Sequence, residues 1–118
     1  MKPEITLIIT NWNGSKLLRE CLPTVLEAVR FDRHHCYEVM VIDDCSNDNS
    51  LGILADEFPE VRTEQTPQNL GFQEANNYGV KLAEPKIVMP MNNDIKLDPK
   101  ALHYLTQHFD NKDTFAVS

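Results

Sequence analysis

ITLIITNWNG, residues 5–14, opens with a β-branched, almost wholly apolar run and closes on two asparagines, a tryptophan and a glycine. A strand with one wet face alternates polar and apolar residues; Ile5 to Thr10 does not, which is the pattern of a strand covered on both faces. The switch at Asn11-Trp12-Asn13-Gly14 puts a loop at its carboxyl end.

The following residues repeat the cycle. Leu18, Cys21, Leu22, Val25, Leu26 and Val29 recur at helical spacing, with Ser15 as the expected cap and Pro23 as the expected kink or irregularity. YEVMVID, Tyr37 to Asp43, reads as a second strand, and DCSNDNS as the loop before a short helix through Leu54 to Phe58. Val61 to Gln65 fits a third, more exposed strand. Phe72 to Leu82 reads as helix, with Phe72, Ala75, Tyr78 and Leu82 on its packed side. Lys86 to Met91 gives a fourth strand, Pro99 starts a helix to about His108, and FAVS at 115–118 opens another strand. Alternating strands and helices predict an α/β fold, a mainly parallel sheet with helices on both faces. Ligands of such sheets bind at the carboxyl ends of the strands, where the Asn11, Asp44 and Asp94 loops gather.

Composition narrows the partners. With 118 residues and 42% hydrophobic content the chain suits one small soluble domain. Its net charge of −7 disfavours a nucleic-acid surface, because backbone binding needs clustered Lys and Arg. There is no apolar run of roughly 20 residues and no secretory leader pattern, so a cytoplasmic protein is expected. Cys21, Cys36 and Cys45 are scattered and read as idle thiols in a reducing compartment. His34, His35, His103 and His108 suit surface or helix positions rather than catalysis.

Several α/β chemistries fail on motif grounds. TNWNGSK has one glycine where a dinucleotide-binding turn needs several, and no GxxxxGK[ST] phosphate loop is present. An aspartate phospho-acceptor domain would carry its acidic pair after the first strand, whereas Asp43-Asp44 follow the second. PMNND, Pro90 to Asp94, has two readings: a turn after a strand, or a set of hard oxygen donors for Mg²⁺ or Mn²⁺.

Four stretches then fall in a recognisable order. LIITNWNG, VIDDCSNDNS, NLGFQEANNYG and MNND together resemble the family 2 glycosyltransferases, inverting enzymes of the Rossmann-like GT-A fold that use nucleotide-diphosphate sugars; the second stretch is similar to the family's DDxSxDxS motif and the last sits where its DxD motif belongs. The resemblance implies that Thr10, Asn11 and Trp12 border the nucleobase and that Asp44 accepts the N3–H of uracil or thymine. Trp12 is open to a second reading, burial of the first helix against the sheet. Asp43 is expected to stabilise the loop, and Ser46 and Asp48 to turn and cap it. Asn69, Asn77 and Asn93 join the nucleotide-binding set by resemblance, with a scaffolding role as the alternative for Asn77. Asp94 is the implied ligand of Mn²⁺ or Mg²⁺; Asn92 and Asn93 depart from the family, which often carries an acid there.

The same resemblance implies a nucleotide-diphosphate sugar as donor and a saccharide or lipid-linked acceptor, with the full-length protein cytoplasmic or peripheral to the inner membrane face. The family's catalytic base lies in a later part of the domain, so residues 1–118 are expected to form the nucleotide-sugar-binding half of a truncated GT-A domain. Such a half would bind without turnover and could self-associate through an exposed sheet edge. The competing expectations are a self-contained nucleotide- or partner-binding module and a sugar-nucleotide nucleotidyltransferase; the latter needs a glycine-rich basic loop not found in the sequence.

Overall fold

The computed structural model describes residues 4–83 and 87–106. Four strands, β1 (Ile5–Asn11), β2 (Tyr37–Asp43), β3 (Arg62–Gln65) and β4 (Ile87–Asn92), alternate with helices α1 (Ser15–Phe31), α2 (Ser50–Glu57), α3 (Phe72–Leu82) and α4 (Ala101–Thr106). The strands form one sheet in the order β3-β2-β1-β4, and every pairing is parallel. Chain order therefore reverses beside β1, and the loops after β1 and β4 diverge there to leave a crevice.

The apolar run quoted above occupies the centre of the sheet, and all seven residues of β1 are buried. Side chains alternate across the strand. Ile5, Leu7 and Ile9 pack with Leu18, Leu22 and Val25 of α1, Leu54 of α2 and Leu102 of α4, while Ile8, Met40 and Ile42 meet Ala75 of α3 on the other face. Each large aliphatic side chain removed from water in this way contributes about 1.5–3 kcal/mol before entropy is counted. Gly79 sets the distance on the α3 face: a Cβ there would lie 2.8 Å from both Ile42 Cγ1 and Ile8 Cγ2, so only glycine lets the helix lie this close to the sheet.

Several local expectations change. Ser15 is the first residue of α1 rather than its cap; its N–H donates instead to Asp48 Oδ2, 3.0 Å away, from the loop after β2. The same carboxylate accepts from the Ser50 N–H at the start of α2, so one aspartate ties two helix beginnings together. Burial pushes the Asp48 carboxyl up, but the bonds from Ser50 and Ser15 outweigh it and hold the group below its ordinary value. Pro23 lies inside α1, where it has no N–H to donate. Phe72 is 59% exposed and not on the packed side of α3. β3 starts at Arg62, β4 at Ile87 and α4 at Ala101; Lys86, His108 and FAVS lie outside the described residues.

At the amino end of the sheet His34 is exposed and His103 lies on α4, the surface and helix positions expected of them, whereas the His35 side chain is 9% exposed beside a buried carboxylate. Asp32, at the C-cap of α1, is buried and receives the His34 N–H and the Tyr37 hydroxyl. His35 Nδ1 is 3.0 Å from its Oδ2, Thr106 Oγ1 is 3.2 Å from the same oxygen, and His103 Nδ1 is 3.6 Å from Oδ1. Burial raises this carboxyl, yet the donors, led by Tyr37, reverse the sign and hold it well below the carboxylate range. Burial and the Asp32 charge together push the Tyr37 phenol upward.

Candidate nucleotide-sugar cleft

At the carboxyl end of the sheet, the loops after β1, β2 and β4 and the start of α3 enclose an open cleft of about 360 Å³. It is lined by Thr10, Asn11 and Trp12 from the end of β1, Asp44 after β2, Asn69, Gly71, Phe72 and Ala75 around the start of α3, and Asn92, Asn93 and Asp94 from β4. Seven of the eight residues singled out for this site from sequence are therefore in one place. Asn77 is the exception: it is exposed on α3 and does not line the cleft.

Asp44 is 4% exposed and works as a clamp. Its Oδ1 accepts the Leu70 N–H and the Thr66 hydroxyl, each at 2.8 Å, and its Oδ2 accepts the Gly71 N–H at 2.8 Å. Asn69 adds a bond from Nδ2 to the Asp44 carbonyl at 3.1 Å. The segment from Thr66 to Gly71 is thus moulded around one carboxylate, and Gly71, at φ +86°, takes a left-handed backbone as the chain turns into α3. A carboxylate has about four acceptor positions, so three bonds leave capacity on the cleft side.

Asp43 does a different job. It is fully buried and accepts from Ser46 N–H at 3.0 Å, Ser46 Oγ at 2.7 Å and Asn11 Nδ2 at 3.0 Å. Asn11 is itself only 1% exposed. The loops after β1 and β2 each hold one residue in an unusual conformation with positive φ, Asn13 and Cys45 respectively.

Two aromatic residues, Trp12 and Phe72, complete the lining. Trp12 is 57% exposed, against the expectation that a lone tryptophan is buried, and Phe72 is also largely uncovered. Phe72 was missed as a site residue; the sequence signal was its position directly after the Asn69-Leu70-Gly71 turn, where a side chain overhangs the loop instead of the sheet.

Among the described residues that line the cleft the charged ones are Asp44 and Asp94, and none is Lys or Arg. Among the described residues no group of three or more His, Cys, Asp or Glu is arranged to hold a metal. What the far end of the cleft does offer is the exposed Asp94 carboxylate beside the Asn92 and Asn93 amides, a hard-oxygen set that fits Mg²⁺ or Mn²⁺ when water and phosphate oxygens complete the shell.

Comparison with known proteins agrees with this arrangement. The family model described as glycosyl transferase family 2 matches residues 6–118. A poly-β-1,6-N-acetyl-D-glucosamine synthase of Staphylococcus aureus is 27% identical over 107 residues, covering 89% of this chain and 25% of the synthase. The crystal structure of S. aureus TarS 1–349 in complex with UDP superposes with a TM-score of 0.77 at 25% identity, covering 91% of this chain and 32% of that one. The mannosyltransferase PcManGT of Pyrobaculum calidifontis, in complex with GDP-Man and Mn²⁺, shares the fold at a TM-score of 0.67 and 21% identity, over 89% of this chain and 33% of its own. The chain spans about a third or less of the length of the curated relatives it matches.

Proposed function

The chain belongs to glycosyl transferase family 2 and has its Rossmann-like GT-A fold, and from that premise we propose that residues 1–118 bind the donor in transfer of a sugar from a UDP- or dTDP-linked donor to an acceptor hydroxyl with inversion. The observation that carries this reading is the buried Asp44 carboxylate, ordered by three donors and set in a cleft with Trp12 and Phe72. A carboxylate fixed in this way can accept the N3–H of uracil or thymine. Cytosine has no hydrogen at that nitrogen, so the same group discriminates against it. Trp12 and Phe72 offer faces for the base, and the UDP complex of TarS supports a uridine nucleotide.

Because the lining carries negative charge and no cation, a diphosphate needs a counter-charge in order to stay. Asp94, with the Asn92 and Asn93 oxygens, would hold Mn²⁺ or Mg²⁺ there, as the Mn²⁺ complex of the mannosyltransferase supports. When bound, the cation offsets the charge that builds on the leaving diphosphate. Asp44 and Asp94 are committed to nucleobase and cation, so neither is assigned as the base that deprotonates the acceptor. The acceptor is assigned to the saccharide or lipid-linked class, in keeping with the named activity of the synthase relative. The reaction is assigned to the cytoplasm; among the described residues no helix is long and apolar enough to cross a membrane.

Calorimetric titration with UDP, dTDP, GDP and CDP, each with Mn²⁺, tests the reading. UDP and dTDP should bind about tenfold or more tighter than CDP, the worth of one charge-assisted hydrogen bond. Equal affinities for UDP and CDP would overturn it.

A further inference from the structure

A chain of hydrogen bonds, buried between Asp43 and Asn11 and half-buried between Asn11 and Asn93, crosses the sheet at the cleft, and its polarity has only one solution. Asp43 holds three donors, so it acts as an acceptor and turns the amide nitrogen of Asn11 toward itself. That leaves Asn11 Oδ1 on the β4 side, where only a donor can meet it. The group that does is Asn93 Nδ2, 2.9 Å away. With its nitrogen spent on Asn11, Asn93 keeps its carbonyl oxygen for whatever occupies the cleft, one residue before Asp94.

Gly14 makes room for this bridge. A Cβ at position 14 would fall 2.2 Å from Asn93 Nδ2 and 2.6 Å from Asn11 Oδ1. The φ of Gly14 is −110°, a value open to any residue, so glycine is needed here for space and not for its dihedral freedom.

We infer that Asn11 is a positioning residue: the Asp43–Asn11–Asn93 relay, seated over Gly14, orients Asn93 so that its carbonyl oxygen stands with the Asp94 carboxylate as a second hard donor toward a divalent cation. The inference rests on the donor-site reading above and adds the residues that set the cation end. It also accounts for the second amide in MNND, Asn93. An acid at position 93 would repel the Asn11 oxygen instead of binding it, so an amide there is what the bridge demands.

The test uses the 118-residue chain and measures the factor by which saturating Mn²⁺ tightens UDP, in the unmodified protein, in Gly14→Ala and in Asn93→Ala. Alanine at 14 would act as a wedge against the free end of the Asn93 side chain, a group able to swing away without backbone strain, while Asn93→Ala removes the amide and serves if the wedge disturbs folding. Urea unfolding confirms that each variant is folded. The coupling factor should fall roughly three- to tenfold in both variants, the effect of losing one oriented oxygen, with the metal-free UDP affinity of Gly14→Ala, whose residue does not line the cleft, unchanged within about twofold. Coupling present in the unmodified chain and undiminished in the variants overturns the relay alone. Absence of coupling in the unmodified chain overturns the cation reading and the relay with it.

Discussion

Two buried aspartates mark opposite ends of the same sheet, and they have been put to opposite uses. Asp32 and Asp44 are 3% and 4% exposed, and each gathers several donors. Around Asp32 one backbone amide, of His34, is joined by side chains from different parts of the chain, Tyr37, His35 and Thr106, which close over the carboxylate and join the end of α1 to β2 and α4. Around Asp44 two of the three donors are successive backbone amides, and the side chains above it, Trp12 and Phe72, stand open. A carboxylate saturated by side chains becomes a tie. One held mainly by a loop's backbone holds that loop in shape and keeps an acceptor position in reserve, and the sheet topology decides which end receives which by leaving its crevice at the carboxyl ends of the strands.

The largest expected effect breaks the tie. Asp32→Ala leaves Tyr37 and His35 without their acceptor and should cost about 3 kcal/mol in urea unfolding, while UDP affinity changes less than about twofold. A matching loss of affinity would show that the two ends are not separable. The same carboxyl supplies a pH signature. Its folded-state value is depressed, so its contribution is present above the unfolded value near about 4 and is lost as pH falls through the folded one. The urea midpoint should drop on acidification below about pH 4, and Asp32→Asn should flatten that drop.

Next in size is the other aspartate. Asp44→Asn places an amide nitrogen where a backbone N–H or the Thr66 hydroxyl now donates, and it removes the charged acceptor; preference for UDP over CDP should shrink by roughly ten- to a hundredfold in calorimetry. Asp94→Ala should remove the mutual tightening of Mn²⁺ and UDP while shifting unfolding free energy by no more than about 0.5 kcal/mol, because this exposed side chain has no place in the core. Retained coupling would return MNND to the status of a turn. Smallest of all, Trp12→Ala or Phe72→Ala should weaken nucleotide binding by about 0.5–1.5 kcal/mol, measurable by the same titration. If either change unfolds the protein instead, that ring is packing and not platform.

Where sequence reading succeeded and failed follows the same division. β1 and β2 were legible because contiguous apolar runs ending in polar loops have few other solutions, and α3 because Gly71 and a helical repeat bracket it. Ser15 was misread as a cap because the group that satisfies its N–H, Asp48, is 33 residues away. Phe72 carried the right spacing for the packed face, but it sits at the overhanging first turn, where periodicity does not determine burial. The Asp32 cluster joins residues 74 apart and was invisible to any local pattern. All the expected cleft residues but Asn77 come together because they cluster at strand ends and the adjoining loops, positions topology fixes before any side-chain contact is known.

The Asn11 amide faces partners at two very different distances along the chain, and this orders events in time. Asp43 is 32 residues away and Asn93 is 82. Closing the longer loop costs about 0.8 kcal/mol more in chain entropy by itself, and its strand is made later during synthesis. The β1–β2 pairing, with Asp43 and Asp44 in place, should therefore assemble while β4 is still seeking its edge. Pulse-labelled hydrogen exchange should find amides of β2 protected before those of β4, so that as the chain folds the Asp44 side of the cleft takes shape first and the Asn93–Asp94 side is completed last.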